Sequence, residues 1–330
     1  MLPLRRFGLG LAGAILVSTV LLGYLLYRTG GLDRTVALSR NASGDWLALS
    51  VGLYLLSNTF RAWRWRVLLP AGAHPRFKLY AISSVHTMVN VLLPARLGEL
   101  AFPVLMRTHA DTAAQRSLTM VFVARALDAI LLGLLFLGGA LVHFRSTLSG
   151  WTIALIAGAL MGGVVLVVRS RALLSWALRH WERRFPQRTR LAALGRRVEA
   201  DLLVMTAAHK LAAAAALTAA LVLTRYVFFW ATLHSIGLSL GIAAVAFGAT
   251  FGEATYLLPL HGVAGLGTVE AGWTLGMSMV GLPLPDAVAS GLFVHVWSIV
   301  LATATGILCL PFLGPAGLRG SGGSDMSSKA

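Results

Sequence analysis

The residues of this chain best suited to chemistry are charged side chains set inside otherwise apolar runs. One stretch places Asn90, Pro94, Arg96, Gly98 and Glu99 within ten positions. A second repeats the grammar with Pro259, His261, Gly262, Gly265, Gly267 and Glu270. Between them lie Arg125 and Asp128, three residues apart on one helical face, and the isolated charges Arg225 and Glu253. An arginine fork donates two parallel hydrogen bonds to a phosphate. A carboxylate can hold an ammonium group or carry a proton. Each ionised side chain at mid-membrane depth costs roughly 2.5–3.5 kcal/mol even on the mild insertion scale. Arg96, Glu99, Arg125, Asp128, Arg225, Glu253 and Glu270 therefore call for a polar cavity, and with Asn90 they form the candidate substrate-binding set.

Structural roles compete with that reading. Arg125 and Asp128 can neutralise each other, as can Arg96 and Glu99 at the same spacing. Glu99 and Glu270 each fall where a half-helix begins, so either can answer free N–H groups and the helix dipole. Asn90 can satisfy backbone freed by Pro94. For the two glutamate-bearing breaks, function is the stronger reading. Arg225 has no local partner and is expected to face the cavity. His86, His261 and His295 lack metal-ligand spacing and are expected to hydrogen-bond within helices. No metal, cofactor or catalytic set is expected. Gly248 with Gly252, and Gly272 with Gly276, have the four-residue spacing of close helix packing.

Composition sets the class. The chain is 57% hydrophobic and only 12% charged, with mean hydropathy +0.77, which excludes an ordinary soluble domain. A net charge of +16 would suggest nucleic acid in a soluble protein. Here the positives cluster in connecting segments, where they serve as topology signals and contacts to anionic headgroups. The single cysteine, Cys309, excludes an intrachain disulfide framework. The first apolar stretch has full span length and no convincing cleavage site, so it is read as a helix.

Stepping along the chain, 7–27 is the first span and 46–60 begins the second, which ends in Arg61, Trp63, Arg64, Trp65 and Arg66. Alternating Trp and Arg at a helix end is read as an interface anchor. Residues 79–93 are too short to span, since the hydrocarbon needs ~20 helical residues. After Pro94 a second short helix, about 96–107, completes a re-entrant hairpin. Spans follow at 117–142 and 151–168. The segment 169–210 holds ten Lys/Arg against three acidic residues, with apolar positions at helical spacing interrupted by Pro186. It is read as two basic amphipathic helices on the membrane surface. Residues 211–234 span again, 240–258 and 264–281 form a second hairpin, and 285–311 is the last span. The Gly/Ser-rich tail 314–330 is expected to be disordered.

Together these give an all-α polytopic membrane protein of about six spanning helices plus two re-entrant helical hairpins. A cytoplasmic N-terminus satisfies the positive-inside bias and puts the C-terminus in the cytoplasm too. Residues 1–313 read as one transmembrane domain. Shifting the sequence by about 170 residues lays repeat one (79–142) over repeat two (240–311), with the basic cytoplasmic linker between them. The hairpins then have opposite orientation, an inverted repeat of the kind found in alternating-access transporters.

At these motifs the chain resembles flippase-like membrane proteins related to the transmembrane region of lysylphosphatidylglycerol synthases. The resemblance is carried by Asn90-x3-Pro94-x-Arg96-x-Gly98-Glu99, by Arg125-x2-Asp128, and by Pro259 with Gly265-x-Gly267-x2-Glu270, and it covers about 10–310. One departure is His261, where a proline or small residue is expected. The resemblance implies a bacterial inner-membrane fold associated with moving lipids, or lipid-linked sugars, between leaflets. Bifunctional relatives add a soluble aminoacyl-transferase domain; none is read in this sequence, so the synthase reaction is not assigned and the chain is expected not to be an enzyme.

The leading functional reading is transbilayer movement of a phospholipid or lipid-linked headgroup. Its partners would be membrane lipids and anionic headgroups, with no nucleic acid; a homo-oligomer is compatible. Alternatives are a membrane glycosyl- or headgroup-transferase using a lipid-linked substrate, and a non-transporting accessory subunit of lipid export.

Overall fold

The computed structural model describes residues 2–70, 75–144, 149–185, 187–256 and 263–314, without the side chains of 2–15 and 95–97. Among the described residues every regular element is helical, the arrangement expected where lipid offers the backbone no hydrogen bonds. The α-helices are α1 (Leu2–Thr29), α2 (Gly31–Arg40), α3 (Gly44–Leu68), α4 (Arg76–Leu92), α5 (Ala101–Ala110) and α6 (Ala114–His143). They continue with α7 (Gly150–Arg184), α8 (Thr189–Met205), α9 (Ala208–Ser235), α10 (Ile242–Thr255), α11 (Thr268–Met279) and α12 (Leu284–Cys309).

Four stretches are long and apolar enough to cross a membrane: Ala114–His143, Gly150–Arg184, Ala208–Ser235 and Leu284–Leu313. At ~1.5 Å per residue even the shortest exceeds a ~30 Å hydrocarbon layer. Helix α3 has the length, but Arg61, Arg64 and Arg66 load its last third with charge.

The distribution of side chains is that of a bundle in lipid. Large apolar residues such as Trp151, Leu155 and Met161 point outward. Ser50, Asn58, Ser84, Thr218, Thr250 and Ser290 are buried between helices, where small polar residues allow close approach and hydrogen-bond locally. Thr218 and Thr250 each donate to the carbonyl four residues back, at 2.7 Å. One packing cluster gathers Leu68, Leu79, Ile82, Phe102, Met106 and Met120, and another gathers Phe228, Phe229, Leu233, Val245, Trp273 and Met277. The most extensive pairings are α3 with α9 and α10 with α11.

Both apolar runs break where the sequence says they must. Leu93, just before Pro94, takes the extended conformation that proline imposes on its predecessor (φ −84°, ψ 137°). Pro94–Leu100 then coils as a 3₁₀ segment before α5 begins at Ala101. The expected helix over 96–107 thus starts later, and Glu99 lies in the 3₁₀ turn rather than in the first turn of an α-helix. Gly98 returns onto α4 so closely that a Cβ there would lie 2.2 Å from the Asn90 Cα. At the second break, Pro259, His261 and Gly262 lie outside the described residues. The chain resumes with a 3₁₀ turn at Val263–Gly265, and Ala264, Gly265 and Gly267 all have positive φ (54°, 72° and 93°). The segments 94–100 and 263–265 touch each other, and α1 packs on the chain beside both.

Two further features go beyond the expected spans. Residues 28–45, between the first two expected spans, contain α2, whose Arg34 meets Asp286 of α12 at 2.6 Å. Residues 151–184 form one unbroken helix instead of a span followed by a separate amphipathic helix, because no Gly or Pro lies near 169 to interrupt it. Pro186 lies outside the described residues, and beyond it α8 packs back on α7 and α6. Residues 315–330 lie outside the described residues.

Candidate functional site

Helices α3, α4, α6, α9, α10, α11 and α12 surround a cavity of about 220 Å³, and the turn 263–265 adds part of its wall. Each helix presents one face. From α3 come Tyr54, Ser57, Arg61 and Arg64; from α6 come Arg125, Asp128 and Leu132; from α9 come Arg225 and Tyr226. On α3 and α6 these separations of three and four residues place the side chains one above another on the helix. Val91, Leu93, Phe228, Phe229 and Trp273 make the rest of the wall apolar.

Ion pairs organise the charged part. Arg64 of α3 is 3% exposed and grips Asp128 of α6 with both ends of its fork, Nη1 to Oδ1 and Nη2 to Oδ2, while Nη1 also donates to Thr218 Oγ1 at 3.1 Å. Arg125 reaches across to Glu99 at 3.0 Å. Its contact with Asp128, one turn along the same helix, is looser at 3.7 Å. Arg225 of α9 meets Glu253 of α10 at 2.6 Å. Such pairing is what makes the charges tolerable. Opposite charges about 4 Å apart gain about 4 kcal/mol at an effective dielectric near 20, against a desolvation penalty of several kcal/mol per ion. Arg61 differs: its hydrogen-bond partner is Thr87 Oγ1, at 2.7 Å.

Glu270 is placed elsewhere. It is fully buried, accepts the Gly267 N–H through Oε2 at 2.6 Å, and meets the His295 ring through Oε1 at 2.6 Å. That first contact ties the carboxylate to the first turn of α11, as a glutamate three residues past an N-cap does. His295 in turn lines the cavity, with Tyr256 Oη 3.4 Å from its Nε2. Glu270 therefore supports the wall from behind.

Of the sequence-derived candidates, Asn90, Arg125, Asp128, Arg225 and Glu253 line the cavity. Glu99 is joined to it through Arg125, Glu270 stands behind His295, and the Arg96 side chain lies outside the described residues. Two arginines read as interface anchors are corrected: Arg61 and Arg64 face inward. The face Ser57, Arg61, Arg64, Trp65 and Leu68 follows a three-and-four spacing, and Trp63 and Arg66, off that face, are the exposed ones. The three-and-four spacing, and not the Trp/Arg alternation, is what marks the inward face in the sequence. His86 is likewise corrected. It makes no helix hydrogen bond and is buried against the Phe102 ring at 5.1 Å. The paired glycines do pack closely: a Cβ on Gly276 would lie 2.1 Å from the Gly248 carbonyl oxygen.

A family model described as the lysylphosphatidylglycerol synthase TM region matches residues 11–306. No curated protein and no solved structure matches the chain.

Proposed function

The chain belongs to the lysylphosphatidylglycerol synthase TM region family, and we propose that it moves a phospholipid or lipid-linked headgroup across the bilayer through the charged cavity. One observation carries this reading. A cavity with arginines and carboxylates on part of its wall and aromatic and aliphatic side chains on the rest lies inside a helical bundle whose outer surface is apolar. Such a wall can receive a charged headgroup while leaving acyl chains in lipid. The family is described by an enzyme's transmembrane region, and we assign no step of the synthase reaction to these residues.

In this proposal α1 and α3 join the four long apolar stretches as spans, making six. The α4–α5 and α10–α11 pairs are re-entrant hairpins entering from opposite faces, and residues 1–313 act as one domain. The contact between the two broken segments supports this, since inverted repeats bring their discontinuous helices together around the transported group. We place the protein in a bacterial inner membrane with both termini cytoplasmic, following the positive-inside bias.

The test is transport of a labelled phospholipid or glycolipid by the purified protein in liposomes. Variants should remove a pair together, Arg225→Gln with Glu253→Gln, or Arg125→Gln with Glu99→Gln, so that no lone charge is stranded. Both are expected to abolish transport. Wild-type rates in both would remove the cavity from the mechanism.

A further inference from the structure

We propose that Arg61, Thr87 and Asn90 form the phosphate anchor of the cavity, and that it selects a lipid with a net-anionic phosphate headgroup over a zwitterionic one. The inference deepens the transport reading and rests on it for the cavity's being open to lipid.

The argument begins with charge. Among the described residues four arginines line the cavity, and three have a carboxylate within ion-pair distance: Arg64 has Asp128, Arg125 has Glu99, and Arg225 has Glu253. Arg61 has none, only the Thr87 hydroxyl. It is only partly accessible, so water cannot fully stand in for a counter-ion. Arg64 and Arg225 are also close enough to repel it, with Asp128 attracting it from beyond ion-pair distance. The described cavity and Glu99 together therefore carry one more positive than negative charge, and the surplus sits at Arg61.

The neighbours of Arg61 have the chemistry to bind an oxyanion. Thr87 and Asn90 lie three residues apart on α4, so they share a face, and both line the cavity. The Asn90 side-chain oxygen is buried and makes no hydrogen bond. Amide oxygen and nitrogen are interchangeable in placement, so Asn90 can turn a donor toward a phosphate. The Arg61 guanidinium and the Asn90 amide, on two adjacent helices, supply donors to a phosphodiester, while the Thr87 hydroxyl gives its own proton to the Ser83 carbonyl at 2.8 Å and orients the guanidinium by accepting from it at 2.7 Å. One negative charge neutralises the surplus. An added ammonium would have to compete for carboxylates already held by arginine, so a zwitterionic headgroup gains less.

Binding is measured on the full chain in neutral detergent by native mass spectrometry, which needs no transport. The probes are phosphatidylglycerol and phosphatidylcholine with identical acyl chains. The wild type is expected to prefer the anionic lipid about tenfold or more, the scale of one charge-assisted hydrogen-bonded contact. Arg61→Gln should erase the preference and Arg61→Lys should keep part of it. If Arg61→Gln does not fold, Thr87→Val removes only the hydroxyl and should lower the preference by itself. Equal binding of both lipids by the wild type, or an unchanged preference in a folded Arg61→Gln, overturns the proposal. Inorganic phosphate is expected to compete no better than chloride; strong competition would replace the lipid with free phosphate and overturn the lipid assignment. A wild type that binds selectively but moves no lipid would sink the transport reading alone. One that moves both lipids equally, unaffected by Arg61→Gln, would sink this inference alone.

Discussion

Glu270 and His295 are locked together at 2.6 Å in a fully buried site, so the start of α11 is tied to the cavity-lining face of α12. The other carboxylate oxygen holds the Gly267 N–H, and Gly267 itself abuts α1, where a Cβ would lie 1.9 Å from the Ser18 carbonyl oxygen. One side chain thus fixes the second break against two helices.

Glu270→Ala should lower the unfolding temperature in detergent substantially. It strands the Gly267 N–H and a buried His295 nitrogen, each worth about 1–3 kcal/mol. Glu270→Gln should cost less, because its amide oxygen still accepts from Gly267 and its nitrogen can donate to the ring. Equal losses in the two variants would show that the charge matters and the hydrogen bonds do not.

The Arg64–Asp128 fork should behave as a coupled pair. Arg64→Met leaves the Asp128 carboxylate without its main partner and is expected to cost about 3 kcal/mol, the scale for breaking a buried pair from one side. The combined variant Arg64→Met with Asp128→Leu removes both charges and should lose less than the sum of the single changes. Additive losses in a double-mutant cycle would show no coupling between α3 and α6 at this point.

Glycines should divide by what a methyl group would strike. Gly98→Ala meets the Asn90 backbone and Gly276→Ala meets the Gly248 carbonyl. Backbone cannot swing aside as a side chain can, so both should destabilise by about 1–3 kcal/mol or more. Gly158→Ala on α7 has open space and should be neutral or slightly stabilising, by up to about 1 kcal/mol from helix propensity. Thermal unfolding of the three variants side by side checks the ordering.

Helix α8 should loosen when its ion pair to α6 is cut. Arg116 meets Asp201 at 2.7 Å, and Asp201 is buried. Arg116→Ala should speed hydrogen exchange across residues 189–205 and leave α9 unchanged. Unaltered exchange in α8 would mean that its apolar contacts through Leu202 and Met205 hold it unaided.

Much of this protein was legible in its sequence because the signals are local. Runs of apolar residues define the long helices, and Pro94 and the glycines at 265 and 267 define the breaks, since sterics act on neighbouring residues alone. The charged set was legible for a related reason: an ionised residue in an apolar run must find a partner or water wherever the helix goes. Which partner it finds is not local. Arg125 neighbours Asp128 in sequence, yet its closer partner is Glu99; Asp128 is gripped by Arg64 from another helix, and Arg225 meets Glu253. Glu270 was expected to stand with Glu99 in the cavity, but the rotation of α11 against α12 turns it to His295 instead. Helix rotation and crossing are set by the packing of whole surfaces, such as the glycine contacts between α10 and α11, and an angle of that kind cannot be read from the residues of one segment. The sequence by itself therefore determined which side chains had to be shielded from lipid, and tertiary packing decided which charge answers which and, among the described residues, gave Arg61 the Thr87 hydroxyl in place of a carboxylate.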